Sequence, residues 1–319
     1  MNTGLSEYLL AGRNQPSWRL NLLVVALTNA TKTHNMTDKP ADNFLKRGLK
    51  LLSSAEIREA PSAIRSIASY ELSASARKSF LAFHSFVTGD PPPQYITRWR
   101  SDADLEHWYK DHVGGILDNV QNALAAAYYH RDRLVSIESA LNSILKRIDF
   151  QSAIPRESTV AVGGTLKLDF EYQAFVLASR RCLDYMTRAL AAYFQHKFHS
   201  FHKMPKALRG FHSPVGIRLS STCAAHTDAV AFLLPHNGTK SIRDLISHYY
   251  HVQAGIINLT TDGFVFAGGG EKINLRTGPG QALLLSQIID ERLAALQLCV
   301  DEHIYGFIEA ALEEQAKRG

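Results

Sequence analysis

Arginine and histidine are the side chains that hold a phosphate and move a proton near neutral pH. One stretch of this chain sets the two close together. The run Arg243-Asp244-Leu245-Ile246-Ser247-His248-Tyr249-Tyr250 spells Arg-x4-His-x-Tyr at the start of an expected helix. In a chain of this composition Arg-x4-His is expected about once by chance, and requiring the further x-Tyr lowers the expectation to about 0.03 copies. The chemistry such a pair supports is metal-free cleavage of RNA, with no cofactor called for. His248 would take the proton of a ribose 2′-hydroxyl or give one to the leaving 5′-oxygen, and Arg243 would stabilise the charge building on the phosphoryl oxygens. The products would be a 2′,3′-cyclic phosphate and a 5′-hydroxyl. DNA lacks the attacking hydroxyl and should resist.

Helix geometry adds a constraint. Positions five apart differ by about 140° around an α-helix, so Arg243 and His248 do not share a face. Two copies packed across a two-fold axis would place the Arg and His of each around one cleft, which makes a homodimer with a composite site the expected assembly. Asp244 precedes His248 by four residues and shares its face, where a carboxylate would orient the imidazole or raise its pKa. Tyr250 lines up with Arg243, and His251 is a second candidate proton carrier. Tyr249 and Tyr250 also suit a packed or interfacial aromatic pair.

The motif resembles the signature of the HEPN superfamily, whose active members are metal-independent endoribonucleases built on helical bundles. In the HepT-type toxins of that superfamily the signature includes the trailing tyrosine. The resemblance implies that Arg243 and His248 are the catalytic pair and that Asp244 is the polar residue following the arginine. It also implies that Tyr250 is the tyrosine a partner nucleotidyltransferase can adenylylate. The stretch Leu166 to Phe194, with Phe170-Glu171-Tyr172 and Leu183-Asp184-Tyr185, is similar in style to the long first helix of larger HEPN-like proteins. A toxin or anti-phage defence role follows from the resemblance, as does an antitoxin or nucleotidyltransferase partner. The alternative is a HEPN-like scaffold that binds RNA or protein without cutting.

Other clusters carry less. Between Gln195 and Lys206, Lys197, Lys203 and Lys206 alternate with Phe198 and Phe201, a composition that suits an RNA backbone with stacked bases. His196, His199 and His202 in the same run lack an acidic or cysteine ligand, and the lysines would repel a metal cation. Gly268-Gly269-Gly270-Glu271-Lys272 lacks the spacing of a phosphate-cradling loop.

The elements that must position these residues are mostly helical. Residues 1–95 read as an N-terminal helical region, 96–155 as a long connecting helix or two, and 156–319 as the HEPN-like helical domain. Proline is absent from Asp102 to Ile148 while Leu105, Trp108, Ile116, Val120, Leu124, Leu134, Ile137 and Leu141 recur at three and four, with a bend expected at Gly114-Gly115. Gly89-Asp90-Pro91-Pro92-Pro93 reads as an extended connector. A long helix is expected from after Thr159–Phe170 to about Phe201, with Arg180, Asp184 and Arg188 on an exposed salt-bridged face. Helices from about Ser220 to Leu234, from Ser241 and from about Gly280 to Lys317 complete a four-helix set. Alternation in Ile256 to Phe266 around Asp262-Gly263 predicts a β-hairpin.

Composition sets the outer limits. The 319 residues are 45% hydrophobic, enough for one large or two modest cores. The 35 Lys and Arg against 30 Asp and Glu give a net charge of +5, which is compatible with nucleic acid. Cys182, Cys223 and Cys299 are odd in number and far apart, fitting buried thiols in a reducing cytoplasm. No apolar run reaches the length of a membrane span, so no membrane partner is expected, and Leu22 to Leu27 is short for a secretory signal core.

Overall fold

An uninterrupted helical period should give an uninterrupted rod, and the proline-free stretch after residue 102 does so. The computed structural model describes residues 66–145, 147–148, 152–156, 158–198, 200–235, 240–248, 251–261, 263–267 and 285–317. Two short helices come first, α1 (Lys78–Thr88) and α2 (Gln94–Ser101), joined by the proline-rich connector. The rod follows as α3 (Glu106–Tyr109), a π-helical stretch (Lys110–Val120) and α4 (Gln121–Leu145). Next come β1 (Val160–Val162) and α5 (Leu166–Tyr193). After a 3-10 turn (Phe201–Lys203) come α6 (Met204–Leu208) and α7 (Pro214–His226), and after a second (Ala231–Leu233) comes α8 (Ile242–His248). The strands β2 (Ile256–Thr260) and β3 (Gly263–Ala267) lead to α9 (Leu285–Ala316).

The fold is mainly α with a small antiparallel sheet, as the periodicity predicts. The rod packs along α5, α9 packs on α7, α4 and α1, and α8 lies against α5. Phe80, Phe83, Tyr172, Phe175 and Phe307 are fully or almost fully buried between these helices. Burial of each such ring is worth about 1.5–3 kcal/mol. Polar ties cross the same seams: His130 on α4 meets Glu171 on α5 at 2.8 Å, and His226 on α7 meets Glu302 on α9 at 2.7 Å. Buried Glu138 on α4 accepts from the Ser286 backbone at 3.1 Å and so caps the start of α9.

Gly114-Gly115 lies in the π-helical stretch of the rod. A Cβ on Gly115 would sit 2.7 Å from the Ala189 Cβ, so glycine lets the rod touch α5 there. At that contact the fully buried His112 donates through Nδ1 to the Ala189 carbonyl at 2.7 Å and accepts at Nε2 from the Tyr95 hydroxyl at 3.3 Å. The rings of Phe83, Trp99 and Phe307 surround it.

The expected hairpin is present, with Thr260 paired to Gly263 and Ile256 to Ala267. Its β2 also pairs with β1, Val160 opposite Leu259 and Val162 opposite Ile257, so the sheet has the order β1-β2-β3. Three elements differ from expectation. The helix expected to reach Phe201 ends at Tyr193, where Gln195 takes φ 55° and His196 N–H closes back on the Ala191 carbonyl at 3.2 Å. The helix expected from Ser220 starts at Pro214, with Ser213 as its cap accepting from Gly216 N–H at 3.1 Å. The helix from Ser241 is only seven residues long, and the fourth long member of the bundle is the rod. Among the described residues no helix is long and apolar enough to cross a membrane.

Candidate functional site

Ser241-Ile242-Arg243-Asp244 is a helix-start sequence, and its side chains close a cap. Asp244 N–H donates to Ser241 Oγ at 3.2 Å, and the Ser241 hydroxyl donates to Asp244 Oδ2 at 2.9 Å. Arg243 then donates from its guanidinium to Asp244 Oδ1 at 2.9 Å. Burial pushes the Asp244 carboxyl up, but the hydrogen bonds from Arg243 and Ser241 outweigh it and hold the group below the ordinary carboxylate range. Asp244 therefore stays anionic and fixes the arginine beside it.

The inner side of α8 is set by Ile242, Leu245 and Ile246, which pack against the core. At about 100° per residue these three take one arc of the helix, and Arg243 and His248 fall on the two shoulders of the opposite arc with Asp244 and Ser247 between them. The Arg243 side chain is about one third exposed, and His248 is exposed. The two residues flank one outward surface, although they do not share a single line along the helix.

His251 stands just beyond and is held on both sides. Its Nε2 lies 3.1 Å from Asp169 Oδ2 and its Nδ1 lies 2.9 Å from the Gln173 amide nitrogen, which fixes the orientation of the ring. Gln173 also donates to the Val252 carbonyl at 3.0 Å, and buried Asp169 accepts from Ala254 N–H at 2.7 Å. The first turns of α5 thus grip residues 251–254, between the signature and β2. Tyr250 lies outside the described residues.

The three lysines are exposed but lie on different elements. Lys197 follows the end of α5, Lys203 closes the 3-10 turn Phe201–Lys203, and Lys206 is on α6. Arg180 and Asp184, expected on a solvated face, are largely covered. Arg180 bonds Asp184 at 3.0 Å, the Leu233 carbonyl at 3.0 Å and Ser200 at 2.9 Å, and so ties the loops on either side of α7 to α5. Cys182, Cys223 and Cys299 are buried free thiols whose pKa values burial raises. Among the described residues no three His, Cys, Asp or Glu side chains converge as metal ligands.

One feature had only a faint trace in the sequence. A cleft of about 600 Å³ opens between α2, the end of α5 and the start of α7, lined by Tyr95, Arg98, Trp99, Tyr193, Phe211 and His212. Four separate segments build it, and only the aromatic and basic run after Gln195 pointed toward this part of the surface. No family model matches the chain, and neither a curated protein nor a solved structure is detectably similar to it.

Proposed function

We propose that the chain is a metal-independent endoribonuclease of the HEPN type, acting from the outward surface of α8. The reading is supported above all by the placement of Arg243 and His248 on the two shoulders of that surface, with Asp244 holding the guanidinium. In the proposed step His248 accepts the proton of a ribose 2′-hydroxyl as that oxygen bonds to phosphorus. The bond from phosphorus to the 5′-oxygen then breaks, and a second imidazole donates the proton that the leaving oxygen needs. A second copy of the chain supplies that imidazole from its own His248, so the active unit is a homodimer. Arg243 holds the phosphoryl oxygens as charge accumulates, the stage at which a preorganised donor contributes most. A cytoplasmic toxin or defence effector restrained by an antitoxin, or by a nucleotidyltransferase acting on Tyr250, is the biological form of this reading.

The test is cleavage of end-labelled RNA in excess EDTA by the wild-type, Arg243→Ala and His248→Ala proteins, with the ends checked for 2′,3′-cyclic phosphate. Loss of about 10²–10⁴-fold in the His248 variant, with folding retained, is the expected result. Cleavage unchanged in both variants sinks the proposal. One observation favours a non-catalytic scaffold: Ser241, Arg243 and Asp244 complete a helix cap that needs no substrate. On that reading the wild-type protein binds RNA or protein and cuts nothing.

A further inference from the structure

Where α5 stops, the chain turns and gathers rings that the bundle does not fully cover. Phe194 and Phe211 lie 4.4 Å apart between centroids, His196 is 5.2 Å from Phe211, and Phe198 is 6.2 Å from Phe211. The three phenylalanines are half-buried and His196 is exposed, so the group stands as a ridge with ring surface open to water. Its members are shared between two clefts. Phe194 and Phe211 border the 600 Å³ cleft described above, together with Tyr95 and Arg98. His196 and Phe198 border a second cleft of about 400 Å³ with Trp108, Tyr185, Arg188 and Lys197. Both volumes fall within the roughly 300–1,000 Å³ of ordinary ligand clefts.

The charge around the ridge has a sign. Arg98, Arg188 and Lys197 are exposed on the walls of the two clefts, and the exposed acid there is Asp111. Glu314 also lines the first cleft, but it is buried and accepts from the Tyr193 hydroxyl at 3.3 Å. Lys203, Lys206 and Arg209 extend the positive charge along the following turn and α6. Open aromatic surface edged by cations is complementary to a chain that carries flat bases on an anionic backbone. An apolar peptide would have no use for the cations, and a duplex keeps its bases stacked and out of reach of the rings.

We propose that this ridge and its two clefts bind single-stranded RNA, with bases stacked on Phe198, Phe211 and Tyr95 and phosphates held by Arg98, Arg188 and Lys197. The proposal deepens the ribonuclease reading, on which it rests for the choice of RNA over DNA, and it assigns substrate capture to a surface other than α8. Stacking of this kind is sequence-tolerant, and phosphate contacts make affinity fall steeply with salt.

The experiment uses the full chain, with labelled oligouridylate and oligoadenylate of about twelve nucleotides, followed by fluorescence anisotropy in EDTA at several salt concentrations. Wild-type protein, Arg243→Ala, Phe198→Ala and the double variant Arg188→Glu with Lys197→Glu are compared, with circular dichroism confirming the fold. The charge-reversed protein is expected to bind about tenfold or more weakly, and its plot of log affinity against log salt should be shallower by about two units. Phe198→Ala should bind more weakly with the salt slope unchanged. Arg188→Lys with Lys197→Arg should restore binding, and Arg243→Ala, which removes one phosphate contact at α8, should weaken binding less than the charge-reversed protein does. No binding by the wild type, or binding indifferent to the ridge variants, overturns the proposal. So does equal competition by polyglutamate, which would reveal attraction to charge alone. If Arg243→Ala alone abolishes binding, RNA sits at α8 and the ridge proposal fails while the ribonuclease reading stands. Ridge-dependent binding without any cleavage by the wild type has the opposite meaning.

Discussion

Asp169 shows how much one carboxylate can organise near a candidate site. It accepts from His251 and from the buried Ala254 N–H, so its removal orphans a backbone donor as well as freeing a ring. Asp169→Ala is expected to cost about 1–3 kcal/mol, read as a lower urea midpoint. His251→Ala should cost less, because Asp169 still holds Ala254; equal losses would mean that the ring, and not the backbone, is what the carboxylate secures. The signature itself was legible from spacing, since Arg243, Asp244 and His248 are neighbours in sequence. Their outward placement was not, because it depends on which residues of α8 the core claims. The grip on His251 was also hidden, for nothing local to Asp169 or Gln173 marks them as partners of a residue far along the chain. In the aromatic cleft the residues lie still further apart, and no local period can assemble Tyr95, Tyr193 and Phe211.

At the level of elements, the long helices and the hairpin were readable because each rests on a repeating local pattern. Helix ends were readable only where a chemical signal marked them. Ser213-Pro214 is such a signal, although the helix was expected only from about Ser220, whereas the end of α5 depends on a turn at Gln195 that nothing in its residue type demands. The glycine pair in the rod announced an irregularity without saying of which kind. Its physical role is close approach, since the Ala189 Cβ occupies the space a side chain on Gly115 would need. Gly115→Ala is therefore expected to destabilise the protein by about 1–3 kcal/mol through overpacking. Gly114→Ala, whose Cβ would come no nearer than 3.7 Å to the Asp118 carboxylate, should cost less than Gly115→Ala. Denaturation of the two variants side by side checks the assignment, and a larger loss at Gly114 would contradict it. Gly216 plays a similar part for the ridge: a Cβ there would lie 2.5 Å from the Phe211 carbonyl oxygen, so Gly216→Ala should shift Phe211 and weaken oligonucleotide binding.

For the molecule as a whole, two buried imidazoles tie stability to acidity. Burial lowers the pKa of His112 to about 4 despite its bond to the Ala189 carbonyl, and burial lowers that of His303 to about 4 despite its bond to the Cys299 carbonyl. The fold therefore keeps both rings neutral while the unfolded chain protonates them near pH 6.5. Stability should be intact above about pH 6.5 and fall as the pH drops toward 4, by about 1.4 kcal/mol per unit for each ring. Urea midpoints across that range should fall less steeply in His303→Leu than in the wild type, and parallel slopes would count against the argument. The sheet has a different consequence for the whole chain. The hairpin β2-β3 is a local contact, but β1 meets β2 only after the chain has travelled through α5, α6, α7 and α8. Closing so long a loop loses entropy before the strand pairing returns any stabilisation, which places that pairing late in folding. Amides exchanged between β1 and β2 should be among the last to gain protection during refolding, and the segment carrying the Arg-x4-His signature would reach its final setting only when that loop has closed.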